Sequence, residues 1–137
     1  MTVIVALPDR MLSDSICTSG ATNFPCFKIY RYKGALIGAA GSVKSIEKFL
    51  RWYKGNRKKS IELDSDDDFS IVIVNKKGIW DYSGSMPDKV LREYHGVGCG
   101  WPMAHAALVA GTSPRRAVEI ACEISHLCGL PVQEFVL

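Results

Sequence analysis

Residues 2–15, TVIVALPDRMLSDS, set the fold, because they predict a β-hairpin at the very start of the chain. The first run is rich in β-branched residues, which favour strands: Val3, Ile4 and Val5. Pro8-Asp9 closes this run as a turn, and a return strand is predicted over residues 11–15. Thr2 therefore lies at the beginning of a predicted strand.

Outward from this hairpin, further strands alternate with helices. A helix is predicted from Ser42, a good N-cap, to Gly55-Asn56, because apolar residues recur there at helical spacing. The other predicted strands cover residues 27–32, 35–40, 69–74, 79–82, 94–98 and 132–137. Two late helices are predicted over residues 101–110 and from Pro114 to Gly129. Predicted loops are residues 19–23, the charge-dense and mobile stretch 57–68, and residues 83–88.

The order of these elements, β-β-β-β-α-β-β-β-α-α-β, indicates the fold class. Antiparallel hairpins with helices between them predict an α/β (α+β) protein in which sheets pack together and are covered by helices. A length of 137 residues fits one domain over residues 1–137.

Composition and charge argue against several classes of partner. The net charge of +3 is too small to indicate nucleic acid or an anionic membrane. No apolar run approaches the ~20 residues that a membrane-spanning helix needs. The first residues, MTVIVALPDR, lack the basic region and cleavage site of a secretory signal, so a cytoplasmic location is expected.

The five cysteines give no metal pattern. None of them forms a CxxC pair, and the His95/Cys99 and His126/Cys128 spacings differ from those of structural zinc sites. We therefore expect no metal and no cofactor. In a cytosolic chain the cysteines are expected to be reduced and mostly small core residues: Cys17, Cys26, Cys99, Cys122 and Cys128.

Two other patterns favour ordinary structural roles. Asp64, Asp66 and Asp68 alternate as at the start of a calcium-binding loop, but Phe69 stands where glycine is required. The glycines of residues 96–100, GVGCG, have the wrong spacing for a dinucleotide site and do not form a nucleophile elbow. A solvated acidic loop and a strand-to-helix turn are the predictions for these two segments.

The N-terminus carries the strongest chemical signal. Trimming of Met1, which small second residues permit, would expose Thr2 with a free α-amine of pKa near ~8 that can act as base for its own hydroxyl. This chemistry needs a nearby cation and a carboxylate to orient it. Asp14 and Lys28 could reach Thr2 at one end of the sheet, although a turn aspartate and a solvent-facing lysine are the alternative interpretation.

Several segments occur in an order that matches a known superfamily. They are residues 2–6 (TVIVA), 12–15 (LSDS), 28–31 (KIYR), 35–42 (ALIGAAGS), 95–100 (HGVGCG), 107–112 (ALVAGT) and 117–121 (AVEIA). Together they resemble the proteasome β-subunits and the bacterial HslV peptidases, especially the short proteasome-like proteins of phages and prophages. This resemblance covers nearly the whole chain and implies the four-layer αββα sandwich of the N-terminal nucleophile hydrolases.

The resemblance also implies roles for individual residues. Thr2 would be the nucleophile, Asp14 would orient Lys28, and Lys28 would lower the effective pKa at the threonine. The backbone amide near Ala40 or Gly41 would stabilise the oxyanion. Cys99 stands where most members of the superfamily have serine, and a thiol is a weaker hydrogen-bond donor there.

The implied function is hydrolysis of peptide bonds in peptides or unfolded proteins, through an acyl-enzyme on the hydroxyl of Thr2, by subunits assembled into a ring. The presence of an ATPase unfoldase is left open. Three alternatives remain: an inactive ring-forming protein with the same fold, an amidohydrolase that acts on small amides, and a cysteine nucleophile at Cys99.

Overall fold

The computed structural model describes residues 2–55, 59–83 and 87–137. The strands are β1 (Ile4–Leu7), β2 (Arg10–Ser13), β3 (Ile16–Ser19), β4 (Thr22–Pro25), β5 (Ile29–Tyr32), β6 (Ala35–Gly41), β7 (Phe69–Asn75), β8 (Gly78–Asp81), β9 (Asp88–Val90), β10 (His95–Val97) and β11 (Gln133–Val136). The helices are α1 (Val43–Lys54), α2 (Trp101–Val109) and α3 (Pro114–Ile124).

Two antiparallel sheets form the middle of the protein. One has the strand order β10-β1-β2-β11 and the other β5-β6-β7-β8-β9. Their facing sides share a buried apolar cluster that includes Ile4, Met11 and Val72. The helix α1 covers the outer face of the five-stranded sheet, and α2 and α3 cover that of the four-stranded sheet. The predicted four-layer αββα sandwich is confirmed.

The strand β1 is buried on both of its faces. Ile4 and Ala6 point to the opposite sheet, whereas Val3 and Val5 belong to the cluster under α2 and α3. All four side chains are fully buried. A strand covered on both faces is apolar without alternation, which explains the continuous run at the start of the sequence.

Alanines let the two late helices lie close to β1. Their buried residues include Ala104, Ala107, Ala117 and Ala121. The Ser113 side chain caps α3 by accepting a hydrogen bond from the Arg116 amide at 3.2 Å. The helix α3 ends at Ile124, five residues before the predicted end at Gly129.

Three sequence expectations are wrong. Residues 19–23 were expected to form a loop, but they belong to the hairpin of β3 and β4. Asp88, the last residue of the predicted irregular segment 83–88, belongs to β9, whereas residues 84–86 lie outside the described residues. Cys17 and Cys26, which were expected to be reduced, form a disulfide bond. The physical reason is local: the hairpin brings the two α-carbons to 5.9 Å, within disulfide range.

The charge-dense loop, predicted to be mobile, is anchored in its described part, residues 59–68. Ile61 is buried in the cluster under α1. The Asp67 carboxylate accepts hydrogen bonds from the Ser45 hydroxyl at 3.1 Å, the Asp64 amide at 2.8 Å and Lys48 Nζ. The Ser42 amide donates to the Asp68 carbonyl at 2.9 Å. This loop therefore braces the junction of β6 and α1.

No helix in the described ranges is long and apolar enough to cross a membrane.

The bracing depends on the charge of Asp67. Its pKa is lowered from 3.8 to about 2, mainly by the hydrogen bond from Lys48 and then by the Asp64 amide. A lowered folded pKa contributes stability above the unfolded value, and this contribution is lost as the pH falls from about 4 towards 2. We expect Asp67→Asn to remove this part of the pH dependence of the free energy of unfolding. Urea unfolding at pH 6 and pH 3 checks it, and an equal pH dependence in both proteins would contradict it.

Candidate active site

Thr2 is held by backbone contacts on both sides of its chain. The Asp14 amide donates to the Val3 carbonyl at 3.2 Å, which extends the pairing of β1 with β2 by one residue. The Gly100 amide donates to the Thr2 carbonyl at 3.0 Å. These contacts hold Thr2 just before the start of β1.

The Asp14 carboxylate is the centre of the hydrogen-bond network around Thr2. Its side chain is fully buried. It accepts from the Val3 amide at 3.1 Å, the Gly129 amide at 3.2 Å and Lys28 Nζ at 2.9 and 3.0 Å. A longer contact joins it to the Ile16 amide at 3.4 Å. A buried carboxylate needs such compensation, because transfer of an unpaired charge out of water is very unfavourable.

Lys28 connects this carboxylate to Thr2. The Lys28 side chain is 4% exposed, and Nζ donates to Thr2 Oγ1 at 3.1 Å while it binds Asp14. The alternative that Lys28 is a solvent-facing residue is wrong, and so is a simple turn role for Asp14. A buried ammonium at this distance stabilises negative charge on the threonine oxygen.

Two glycines make the approach of the next turn to Thr2 possible. Gly98 has φ +96°, and a Cβ there would lie 2.2 Å from the Thr2 carbonyl oxygen. At Gly100 a Cβ would lie 2.8 Å from the Val3 side chain. The HGVGCG turn was predicted as a strand-to-helix turn. Its close backbone contact with Thr2 was not predicted, although its repeated glycines were the signal that could have indicated it.

Gly41 ends β6 near Lys28. Its φ is +127°, and a Cβ would lie 2.2 Å from the Asp68 carbonyl oxygen, so this position excludes a side chain. The Ala39 amide donates to the Lys28 carbonyl at 3.1 Å. Because amides alternate between the two edges of a strand, the Gly41 amide emerges on the same edge as Ala39, and the Ala40 amide on the other. Of the two amides predicted to stabilise an oxyanion, the alternation therefore favours that of Gly41, on the Lys28 side of β6, over that of Ala40.

The thiols near the site differ in exposure. Cys99 is exposed, and its Sγ lies 3.9 Å from the Thr2 carbonyl oxygen. Burial, followed by the negative charge of Asp14, raises the pKa of Cys122 to about 12 and also raises the pKa of the buried Cys128. These two thiols are therefore kept protonated and are poor nucleophiles.

Solved structures with the same architecture have low sequence identity to this chain. Thiobacillus denitrificans BPH in complex with epoxomicin is 21% identical, with a TM-score of 0.73, over 100% of this chain and 98% of that one. The eukaryotic HslV from Trypanosoma brucei is 17% identical, with a TM-score of 0.77, over 98% and 97% of the two chains. The fold is that of the proteasome-type N-terminal nucleophile hydrolases.

A third protein of this proteasome-type fold is the Anbu (Gly-1) mutant from Hyphomicrobium sp. strain MC1. It is 9% identical, with a TM-score of 0.76, over 100% of this chain and 81% of that one. Comparison of the sequence with models of protein families and with curated proteins gave no match. At these identities the likeness establishes the fold alone.

The structure brings three of the predicted site residues into one hydrogen-bonded group, Thr2, Asp14 and Lys28. Gly41 lies two residues beyond the amide that contacts Lys28, and Cys99 lies beside the Thr2 carbonyl. Their catalytic roles stay predictions. Sequence reasoning missed Gly129, whose amide supports Asp14; its Cβ would lie 2.1 Å from Ile16, and no local pattern signals this contact.

Proposed function

We propose that this protein is a threonine-type peptidase in which Thr2, after removal of Met1, is the nucleophile. The observation that carries the proposal is the contact between Lys28 Nζ and Thr2 Oγ1 at 3.1 Å, with the lysine held by the buried Asp14. In this arrangement a fixed positive charge lies beside the oxygen on which negative charge develops during attack.

The reaction follows from the positions of these groups. The free α-amine of Thr2 takes the proton from Oγ1, and Oγ1 attacks the carbonyl carbon of the scissile peptide bond. The Gly41 amide donates to the oxyanion, and the leaving amine takes the proton from the α-ammonium. Water then hydrolyses the ester on Thr2, with the same α-amine as base. Lys28 favours the neutral form of the amine by charge repulsion.

The natural substrate in this proposal is a peptide or an unfolded protein in the cytoplasm, and the working form is a ring of identical subunits. The likeness to HslV supports the ring as part of the proposal. Light scattering of the purified protein checks it, and a monomer at all micromolar concentrations would contradict it.

The test of the activity begins with protein expressed without an N-terminal tag. Intact mass shows whether Met1 has been removed, and treatment with methionine aminopeptidase produces the trimmed form where it has not. This form is incubated with a peptide epoxyketone, whose adjacent electrophilic carbons trap a hydroxyl and an amine of the same residue. We expect a single adduct, mapped to Thr2, and cleavage of fluorogenic peptides.

The untrimmed protein is the matched control, because its α-amine belongs to a different residue. It should form no cyclic adduct and cleave no peptide. Trimmed protein that neither reacts with the epoxyketone nor cleaves any member of a broad peptide panel would refute the peptidase. An adduct on Thr2 without peptide cleavage would favour the small-amide hydrolase.

A further inference from the structure

The hairpin of β3 and β4 connects the two charged residues of the candidate site. Asp14 lies three residues before Cys17, and Lys28 lies two residues after Cys26. The disulfide between these cysteines closes the hairpin at its base. The two chain segments on either side of this base therefore lead directly to Asp14 and Lys28.

Backbone contacts at this base lead directly to the site. The Cys26 amide donates to the Ser15 carbonyl at 2.9 Å, and the Ser15 amide donates to the Gly129 carbonyl at 2.9 Å. The Gly129 amide in turn donates to the Asp14 carboxylate at 3.2 Å. A displacement of the Cys26 segment is thus transmitted to both Lys28 and the supports of Asp14.

Beyond these contacts at its base, the hairpin packs little against the other described residues. The strands β3 and β4 form a two-stranded sheet of their own, and residues 18–25 are exposed. Two-stranded hairpins are marginally stable in water without further packing. A covalent link across the two strands therefore restricts the conformations available to the hairpin more than its few apolar contacts do.

We propose that the Cys17–Cys26 disulfide is a redox-controlled positioning element, which keeps Asp14 and Lys28 in register with Thr2 when oxidised and releases them when reduced. Its effect on catalysis rests on the proposed peptidase function; its effect on the geometry does not. Cys17 and Cys26 act through the charged pair and make no contact with substrate.

The chemistry is thiol–disulfide exchange with a small disulfide such as oxidised glutathione. The two cysteine thiols lose two protons and two electrons, the Cys17–Cys26 S–S bond forms, and the small disulfide is reduced to two thiols. A dithiol reverses the reaction and is itself oxidised to a disulfide. In a reducing cytoplasm the site would thus be assembled only when the thiol pool becomes oxidised.

The first experiment tests the bridge and the geometry without any assay of activity. After incubation with oxidised glutathione, Cys17 and Cys26 of the unfolded protein should resist alkylation, whereas after reduction all five cysteines should be alkylated. Hydrogen exchange of the Val3 and Gly129 amides, which both donate to Asp14, should become about tenfold faster on reduction. Alkylation of Cys17 and Cys26 after the treatment with oxidised glutathione, or unchanged exchange of both amides, would overturn the proposal.

The second experiment measures the rate of epoxyketone labelling against pH in trimmed protein. Reduction should slow labelling about tenfold and move its pH midpoint upward by about one unit, because the α-amine loses the nearby positive charge of Lys28. This comparison uses wild-type protein in its oxidised and reduced states, so it needs no mutation. The Cys17→Ser/Cys26→Ser variant should be labelled as slowly as reduced wild-type protein, with or without dithiol. The Cys122→Ala variant should keep the difference in labelling between the oxidised and reduced states.

The outcomes separate the two proposals. Labelling that is equal in rate and pH profile in both redox states would overturn the positioning role and leave the peptidase intact. Absence of labelling in both states would refute the peptidase, and the exchange of the Val3 and Gly129 amides would then decide the positioning role by itself. An equal dithiol effect on the Cys17→Ser/Cys26→Ser variant would assign the response to another thiol and overturn the proposal.

Discussion

Replacement of Thr2 by alanine is expected to abolish peptide cleavage by the trimmed protein. The substitution removes the only atom in the proposal that forms a bond to the substrate, and loss of a nucleophile typically reduces kcat by about 10⁴–10⁶-fold. The fold should be preserved, because Lys28 Nζ loses its contact with Thr2 Oγ1 but keeps Asp14, and the backbone contacts of Thr2 and Val3 remain. Single-turnover kinetics with a fluorogenic peptide measure the loss, and circular dichroism measures the fold.

Two controls make the result specific. Thr2→Ser keeps a hydroxyl within reach of Lys28 and should retain measurable cleavage. Thr22→Ala removes an exposed threonine from β4 and should have wild-type activity. Full activity of the Thr2→Ala protein would disprove Thr2 as the nucleophile, and alkylation of Cys99 would then show whether that exposed thiol carries the reaction.

Replacement of Lys28 by methionine is expected to cost both activity and stability. The side chain keeps its length and apolar stem, but Asp14, fully buried, loses its cation. Removal of one partner from a buried ion pair typically destabilises a protein by about 3–5 kcal/mol. Urea unfolding measures this loss as a lower midpoint with an unchanged slope. Cleavage of peptides should fall as well, because no positive charge remains beside Thr2 Oγ1.

The double variant Lys28→Met/Asp14→Asn separates the two effects. It leaves no unpaired buried charge, and the asparagine oxygen can still accept from the Val3 or Gly129 amide, so much of the lost stability should return. Activity should not return. If the single variant is as stable as the wild type, the pair does not have the buried character that the structure gives it; if the double variant recovers activity, Lys28 has no part in the reaction.

The sequence predicted the parts of the fold that depend on local patterns. The apolar run of β1, the N-cap at Ser42 and the start of α3 at Pro114 follow from residue type and spacing. Residue type left the grouping of Asp14 and Lys28 with Thr2 open and the resemblance favoured it, because their meeting depends on how the sheet with β2 packs against the sheet with β5. That packing is a tertiary property, and no window of the sequence contains it.

The hairpin of β3 and β4 was missed for a physical reason. Its residues are small, polar and exposed, as in SGATN, and such a composition is typical of loops. The strands form there because the two ends of the segment are fixed by Asp14 and Lys28 and by the link between Cys17 and Cys26. The role of Gly129 was equally hidden, since it depends on a contact across more than a hundred residues of chain.

The central position of β1 has a consequence for the thermal unfolding of this protein. Chain ends usually fray first, well below the temperature at which a domain melts. Here Thr2 precedes a strand with neighbours on either edge, β2 and β10, and apolar layers above and below. Thr2 cannot leave its place while these layers persist, so heat should inactivate the protein in the same cooperative step in which the whole sandwich melts.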